Sequence, residues 1–211
     1  MSVPLTPPGG PAVHPAPVGR RERSKLDKLE RITRAASELF AEHGVDEVTT
    51  QQIADRADIG SGTLFLYAKT KGELLLLVQN ANYAEALERG RAAAERIEDP
   101  VDAVLALVAP VVECNRAQVE NGRTYLREMV FGDPLEPRHA EALAIVAGTE
   151  EAVAAILQRD GRIDSARAAT LAHVLSAVLL LSLSLTANAT AGVDGILLDV
   201  RTQLEAVLPA G

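Results

Sequence analysis

Val48-Thr49-Thr50-Gln51-Gln52-Ile53-Ala54-Asp55-Arg56-Ala57-Asp58-Ile59-Gly60-Ser61-Gly62-Thr63-Leu64-Phe65-Leu66-Tyr67 reads as two short helices joined by a three-residue turn. Thr49 and Gln52 have capping-box spacing: the Thr hydroxyl accepts from the backbone N–H three residues on, and the Gln side chain returns a bond to the cap. A helix therefore starts there. Ile53, Ala54 and Ala57 share one face of it, and Asp58-Ile59-Gly60 supplies a polar residue, an apolar plug and a conformationally free glycine before the second helix. Two helices joined this tightly make a helix-turn-helix.

At 100° per residue, with Leu64 as the inward anchor, Tyr67 and Ala68 fall within about 60° of it and face inward too. Gly62 and Leu66 fall on the opposite side, flanked by Thr63 and Phe65, with Ser61 at the exposed start. That face carries no carboxylate to repel phosphate. Gly62 permits close backbone approach, Ser61 and Thr63 can bond to base edges or phosphate, and Phe65 and Leu66 offer apolar contact to a thymine methyl. Thr70-Lys71-Gly72-Glu73 has the spacing of a second capping box and opens a long helix. Its free N–H groups, its dipole and Lys71 make a phosphate site.

These residues resemble the DNA-binding domain of TetR-family transcriptional regulators. The resemblance is carried by Leu39-Phe40-Ala41-Glu42-His43-Gly44, by Thr49 through Ala57, by Gly62-Thr63-Leu64-Phe65, and by Tyr67, Thr70-Lys71 and Glu73-Leu74, over about residues 24 to 78. This chain departs from the family pattern at Gly60, Phe65, Leu66 and Ala68. Together, the groove-facing reading and the resemblance give an expected DNA-contacting set: Thr49 and Gln51, then Ser61, Gly62, Thr63, Phe65, Leu66 and Tyr67, then Thr70 and Lys71. The resemblance further implies double-stranded operator DNA as partner, a small-molecule effector, a homodimer through residues 164–208, a four-helix bundle formed by the last two helices of each subunit, and most often repression.

The 211 residues carry a net charge of −8, which alone argues against a nucleic-acid binder. Its distribution reverses that reading. Residues 20–71 hold 10 Lys+Arg against 9 Asp+Glu, whereas residues 72–211 hold 11 against 20, so the acidity lies in the second part. One cysteine, Cys114, leaves no intramolecular disulfide and fits a reducing compartment, so a cytoplasmic protein is expected. Residues 168–193 carry no formal charge, a run long enough to span a bilayer, but Thr170, His173, Ser176, Ser182, Ser184, Thr186, Asn188 and Thr190 dilute it. No membrane is expected as a partner.

Residues 1–19, with six prolines, form an expected disordered tail. Arg20, Arg21, Arg23, Lys25 and Lys28 follow as a basic arm, which either reaches DNA or only solubilises. Leu26, Leu29, Ile32, Ala36, Leu39 and Phe40 make the apolar stripe of a first helix that Gly44 closes. The helix from Thr70 is expected to run as far as Ile97, and another from Pro100, bent by Pro110, to Asn121-Gly122. A short helix over Arg123–Val130 follows, then one from Pro137 to Arg159. The charge-free helix after Asp164 is apolar on nearly every side and must be buried on two faces. An amphipathic stripe from Ile196 to Leu208 ends the chain. The fold class is thus all-α with about nine helices, a helix-turn-helix domain over 20–71 and a ligand-binding and dimerisation domain over 72–211.

The expected effector-lining residues, between the helices from Thr70, Pro100 and Pro137, are Gln79, Tyr83, Leu107, Val111 and Cys114, with Tyr125, Met129, Phe131, Val146 and His173. They imply a largely apolar ligand oriented by a few hydrogen bonds. Each also reads as plain core, and Cys114 most simply as a packed thiol. The four histidines show no metal spacing, and no nucleophile elbow, P-loop or dinucleotide fingerprint occurs, so neither an enzyme nor a cofactor is expected. Two other classes stay open on the residues: a helical small-molecule-binding protein without operator binding, and a membrane-tethered DNA-binding protein.

Overall fold

The computed structural model describes residues 19–159 and 161–208; Asp160 and all but Gly19 of the expected tail lie outside the described residues. Among the described residues the chain is all-α, as expected: α1 (Arg20–His43), α2 (Thr50–Arg56), α3 (Ser61–Leu64), α4 (Lys71–Ala94), α5 (Pro100–Arg116), α6 (Val119–Phe131), α7 (Pro137–Leu157), α8 (Ser165–Ser184) and α9 (Val193–Val207), with a 3₁₀ turn at Thr186–Asn188. Local chemistry starts most of them. Asp99 caps α5 through the Asp102 N–H at 2.8 Å with Pro100 at the first helical position, Glu136 and Pro137 do the same for α7, and Asp164 caps α8.

α4 is the axis. Its first turns bury Leu74, Leu75 and Val78 beside α1, and its remainder packs on α5, α6 and α7. The approach to α5 is backbone-close, because a Cβ on Gly90 would lie 1.9 Å from the Leu107 carbonyl oxygen. One contiguous core joins Ile32, Phe40 and Leu64 at one end to Leu175 and Val200 at the other.

Several expected boundaries move, each because a tertiary contact outweighs a local signal. α5 ends at Arg116, and α6 starts at Val119 on the Gln118 side chain, which accepts from the Glu120 and Asn121 N–H groups. Asn121-Gly122 therefore lies buried inside α6 instead of ending a helix. α4 stops at Ala94, where Arg159 Nη1 caps the Ala94 and Ile97 carbonyls at 3.0 and 3.1 Å. α5 continues through Pro110. The basic residues 20–28 are not a flexible arm, since α1 already begins at Arg20.

α8 has the length and composition to cross a membrane, with mean hydropathy 1.7. It packs instead on α6, α7 and α9, and Arg116 and Arg123 from α5 and α6 donate to its Ser182 and Ser184 carbonyls. Burial on two faces is not complete in a single copy. Val174 and Leu181 of α8 and Leu198 and Val207 of α9 are exposed, Leu198 by 63%.

Candidate functional site

The capping box at α2 forms as expected: Thr49 Oγ1 accepts from the Gln52 N–H at 3.2 Å, and Gln52 Oε1 accepts from the Thr49 N–H at 2.8 Å. Ile53 and Ala54 are buried beneath it, and Ala57 remains helical as the C-cap, leaving Asp58-Ile59-Gly60 as the turn. The residue that takes positive φ there is Asp58 (52°), whose carboxylate and carbonyl both receive Arg31 of α1. Gly60 sits in extended geometry as the N-cap of α3, so the conformational freedom expected of it is not used.

α3 is a single turn continued by turn-type bonds to Ala68. Leu64 and Ala68 are buried, as the helical angles predict, and Leu66 (83%) and Phe65 (46%) are exposed beside exposed Gly62. Ser61 donates to Gln51 Oε1 at 2.5 Å, and Gln51 donates to Asp55 at 2.7 Å, so these polar groups form one chain across the outer face. Tyr67 turns its hydroxyl to the Lys25 carbonyl of α1 at 3.4 Å.

At the start of α4 the box closes one residue early. Thr70 Oγ1 accepts from the Glu73 N–H, but the Glu73 carboxylate returns to the Lys69 N–H at 2.6 Å. Lys71 Nζ donates to the Asp46 carbonyl at 3.1 Å, holding the segment that leads into α2. One residue earlier, the same segment is held from the other side. The Val45 N–H donates to Asn121 Oδ1 at 2.7 Å, and Asn121 Nδ2 donates to the Phe40 carbonyl at 2.8 Å. This joins α6 to the end of α1, at Gly44 (φ 78°), where a Cβ would meet Gln118 Nε2 at 2.7 Å.

The expected effector-lining residues divide. Tyr83 and Tyr125 are buried and stacked, with centroids 4.4 Å apart. Tyr125 donates to Asn80 Oδ1 at 3.0 Å, and Asn115 Nδ2 donates to the Tyr83 oxygen at 3.0 Å. Burial pushes both phenols above their ordinary range, while Asn115 Oδ1 is buried without a hydrogen-bond partner among the described residues. Leu107 and Met129 are core. Val111 and Val146 are half-buried against it. Gln79 and Cys114 line a cavity of about 320 Å³ between α1, α4 and the α5–α6 turn. Phe131 and His173 are corrections: Phe131 is 81% exposed at the end of α6, and His173 points outward to Glu150 at 3.0 Å. Residue type suggests a lining role for both, and type does not fix which side of a helix they occupy. Sequence reasoning misses Asn80, Asn115 and Asn121, although Asn inside an apolar helical run is itself a signal, because such a residue needs a partner.

A helix-turn-helix with an open, carboxylate-poor outer face, mounted on a helical body through one shared helix, defines a DNA-binding regulator. Residues 32–78 match the family described as "Bacterial regulatory proteins, tetR family". Those residues are a TetR-family DNA-binding segment. Over 53 residues, 25% of this chain and 28% of the relative, it is 36% identical to an uncharacterised HTH-type transcriptional regulator of Haemophilus influenzae, so it spans about a quarter of that protein. The whole fold is similar to solved structures that include the following three. One is Thermus thermophilus FadR, a TetR-family repressor in complex with lauroyl-CoA (TM-score 0.67, 24% identity, 87% of this chain and 96% of that one). The second is a TetR regulator from Rhodococcus sp. RHA1 (0.67, 16%, 88% and 97%). The third is the fatty acid degradation regulator FadR of Bacillus halodurans (0.63, 15%, 87% and 97%).

Proposed function

We propose that the chain is a homodimeric repressor that reads an inverted-repeat operator and releases it when a small molecule binds behind the helix-turn-helix. One observation carries this: α4 starts against α1, with Lys71 holding the Asp46 carbonyl ahead of α2, and its remainder packs on α5, α6 and α7, so movement at one end is felt at the other. Thr63 and Ser61 face base edges, Gly62 permits close approach, and Lys71 with the start of α4 takes a phosphate. Thr49, Gln51, Phe65, Leu66, Tyr67 and Thr70 complete the surface. The exposed apolar residues of α8 and α9 support pairing of two copies, because large unpartnered patches mark association surfaces. That a protein of the same fold was solved with lauroyl-CoA supports a small-molecule effector here.

The test is a map of the chain's binding sites on its host's DNA. A small set of sites sharing an inverted repeat is expected; uniform, sequence-blind recovery would overturn the operator reading.

A further inference from the structure

We propose that the cavity at the joint of α1, α4 and the α5–α6 turn is an effector site for a compact, uncharged, amphipathic molecule, whose occupancy weakens operator binding by opening the Asn121 clasp on α1. Only its last step rests on the operator reading above.

The cavity is walled by elements of both parts of the chain and has about 320 Å³ of room. Its floor is apolar, from Phe40 and Val78. Its polar groups are mostly carboxamides: Gln79, Asn82 and Gln118 offer donors and acceptors without charge, beside Asn121, whose amide is already held. The two charged groups, Glu85 and Arg89, face each other across one helical turn at 3.5 Å and cancel. Such a lining takes a neutral molecule with hydrogen-bonding groups on an apolar body. An ion would have to part the Glu85–Arg89 pair to find a counter-charge.

Asn121 gives the site its consequence, because the same carboxamide that walls the cavity holds the Val45 N–H and the Phe40 carbonyl. Val45 lies four residues before the Thr49 cap of α2. An occupant that claims the Asn121 amide, or separates α1 from α6, loosens the segment that positions the helix-turn-helix. Cys114 also lines the cavity, and burial pushes its thiol up to about 11, so the site is suited to reversible binding instead of covalent capture.

As the chain's single cysteine, Cys114 provides the probe. Monobromobimane, neutral and compact, is reacted in excess with the full chain at pH 9 until mass spectrometry shows one adduct. The expected result is hydrogen exchange faster by about tenfold or more at the Val45 amide and a roughly 5- to 150-fold loss of operator affinity. Cys114→Ser treated identically should show neither. Iodoacetamide should also outpace iodoacetate at Cys114 by more than it does on free cysteine. A complete adduct with unchanged Val45 exchange overturns the proposal, as does a thiol that never reacts, which would mean a closed cavity. Equal selectivity towards the two iodo reagents overturns the ligand class. If the untreated chain binds no DNA at all, the operator reading fails, while Val45 exchange still decides the clasp.

Discussion

One carboxamide, that of Asn121, satisfies two buried backbone groups that lie 76 and 81 residues away in sequence. Truncating it leaves the Val45 N–H unpaired, and a buried orphan of this kind costs about 1–3 kcal/mol. Asn121→Ala is therefore expected to lower the urea midpoint with an unchanged slope; an unchanged midpoint would mean water replaces the amide freely. Gly60 makes the opposite case. It is an N-cap with φ of −72°, and a Cβ added there would meet nothing within 4 Å, so Gly60→Ser should shift stability by no more than a few tenths of a kcal/mol, upward. A thermal melt showing a loss above about 1 kcal/mol would refute this reading of the turn. On the DNA face, Lys71→Ala should weaken all sequences alike and reduce the salt slope by about one, while Thr63→Ala should change sequence preference. Titrations at several salt concentrations separate the two.

At the scale of elements, α4 and α5 touch where only a glycine fits. Gly90→Ala forces a methyl group against the Leu107 carbonyl and should cost about 1–3 kcal/mol or more, measured by chemical denaturation; full retention of stability would mean the two helices can part without penalty. The elements whose signals are local were legible in the sequence. The Thr49–Gln52 box, the Asp99-Pro100 start and the inward Leu64 and Ala68 follow from spacing alone. What spacing could not give were the features decided across the fold. Asn121-Gly122 has the residues of a turn until Val45 and Phe40 claim the amide, and the apolar spacing of α4 continues to Ile97 until Arg159 caps the helix. Phe131 and His173 were misplaced for the same reason, since residue type says nothing of which side of a helix a side chain takes, and both sit on the outer side of theirs.

Across the whole molecule, the acidity of residues 72–211 keeps that part off the phosphate backbone, while residues 20–71 remain near neutral and leave binding to a few placed contacts. In the proposed homodimer the rest of the specificity comes from two recognition elements that a two-fold axis sets against two half-sites. Leu198 is exposed in a single copy, so Leu198→Asp should leave the fold of one chain intact yet disrupt the pair by burying an uncompensated charge. Sedimentation at micromolar concentration should show the parent as a dimer and the variant shifted to monomer; a monomeric parent would remove the basis for a two-fold operator. The most direct test is selection of bound duplexes from a random library by the purified parent chain. An inverted repeat with half-sites about one helical turn, ~10 base pairs, or a multiple of it apart should be enriched, and Thr63→Ala should alter the half-site. Enrichment of no sequence, or of a single asymmetric half-site by a chain that sediments as a dimer, would contradict the assignment of this chain as a two-fold reader of DNA.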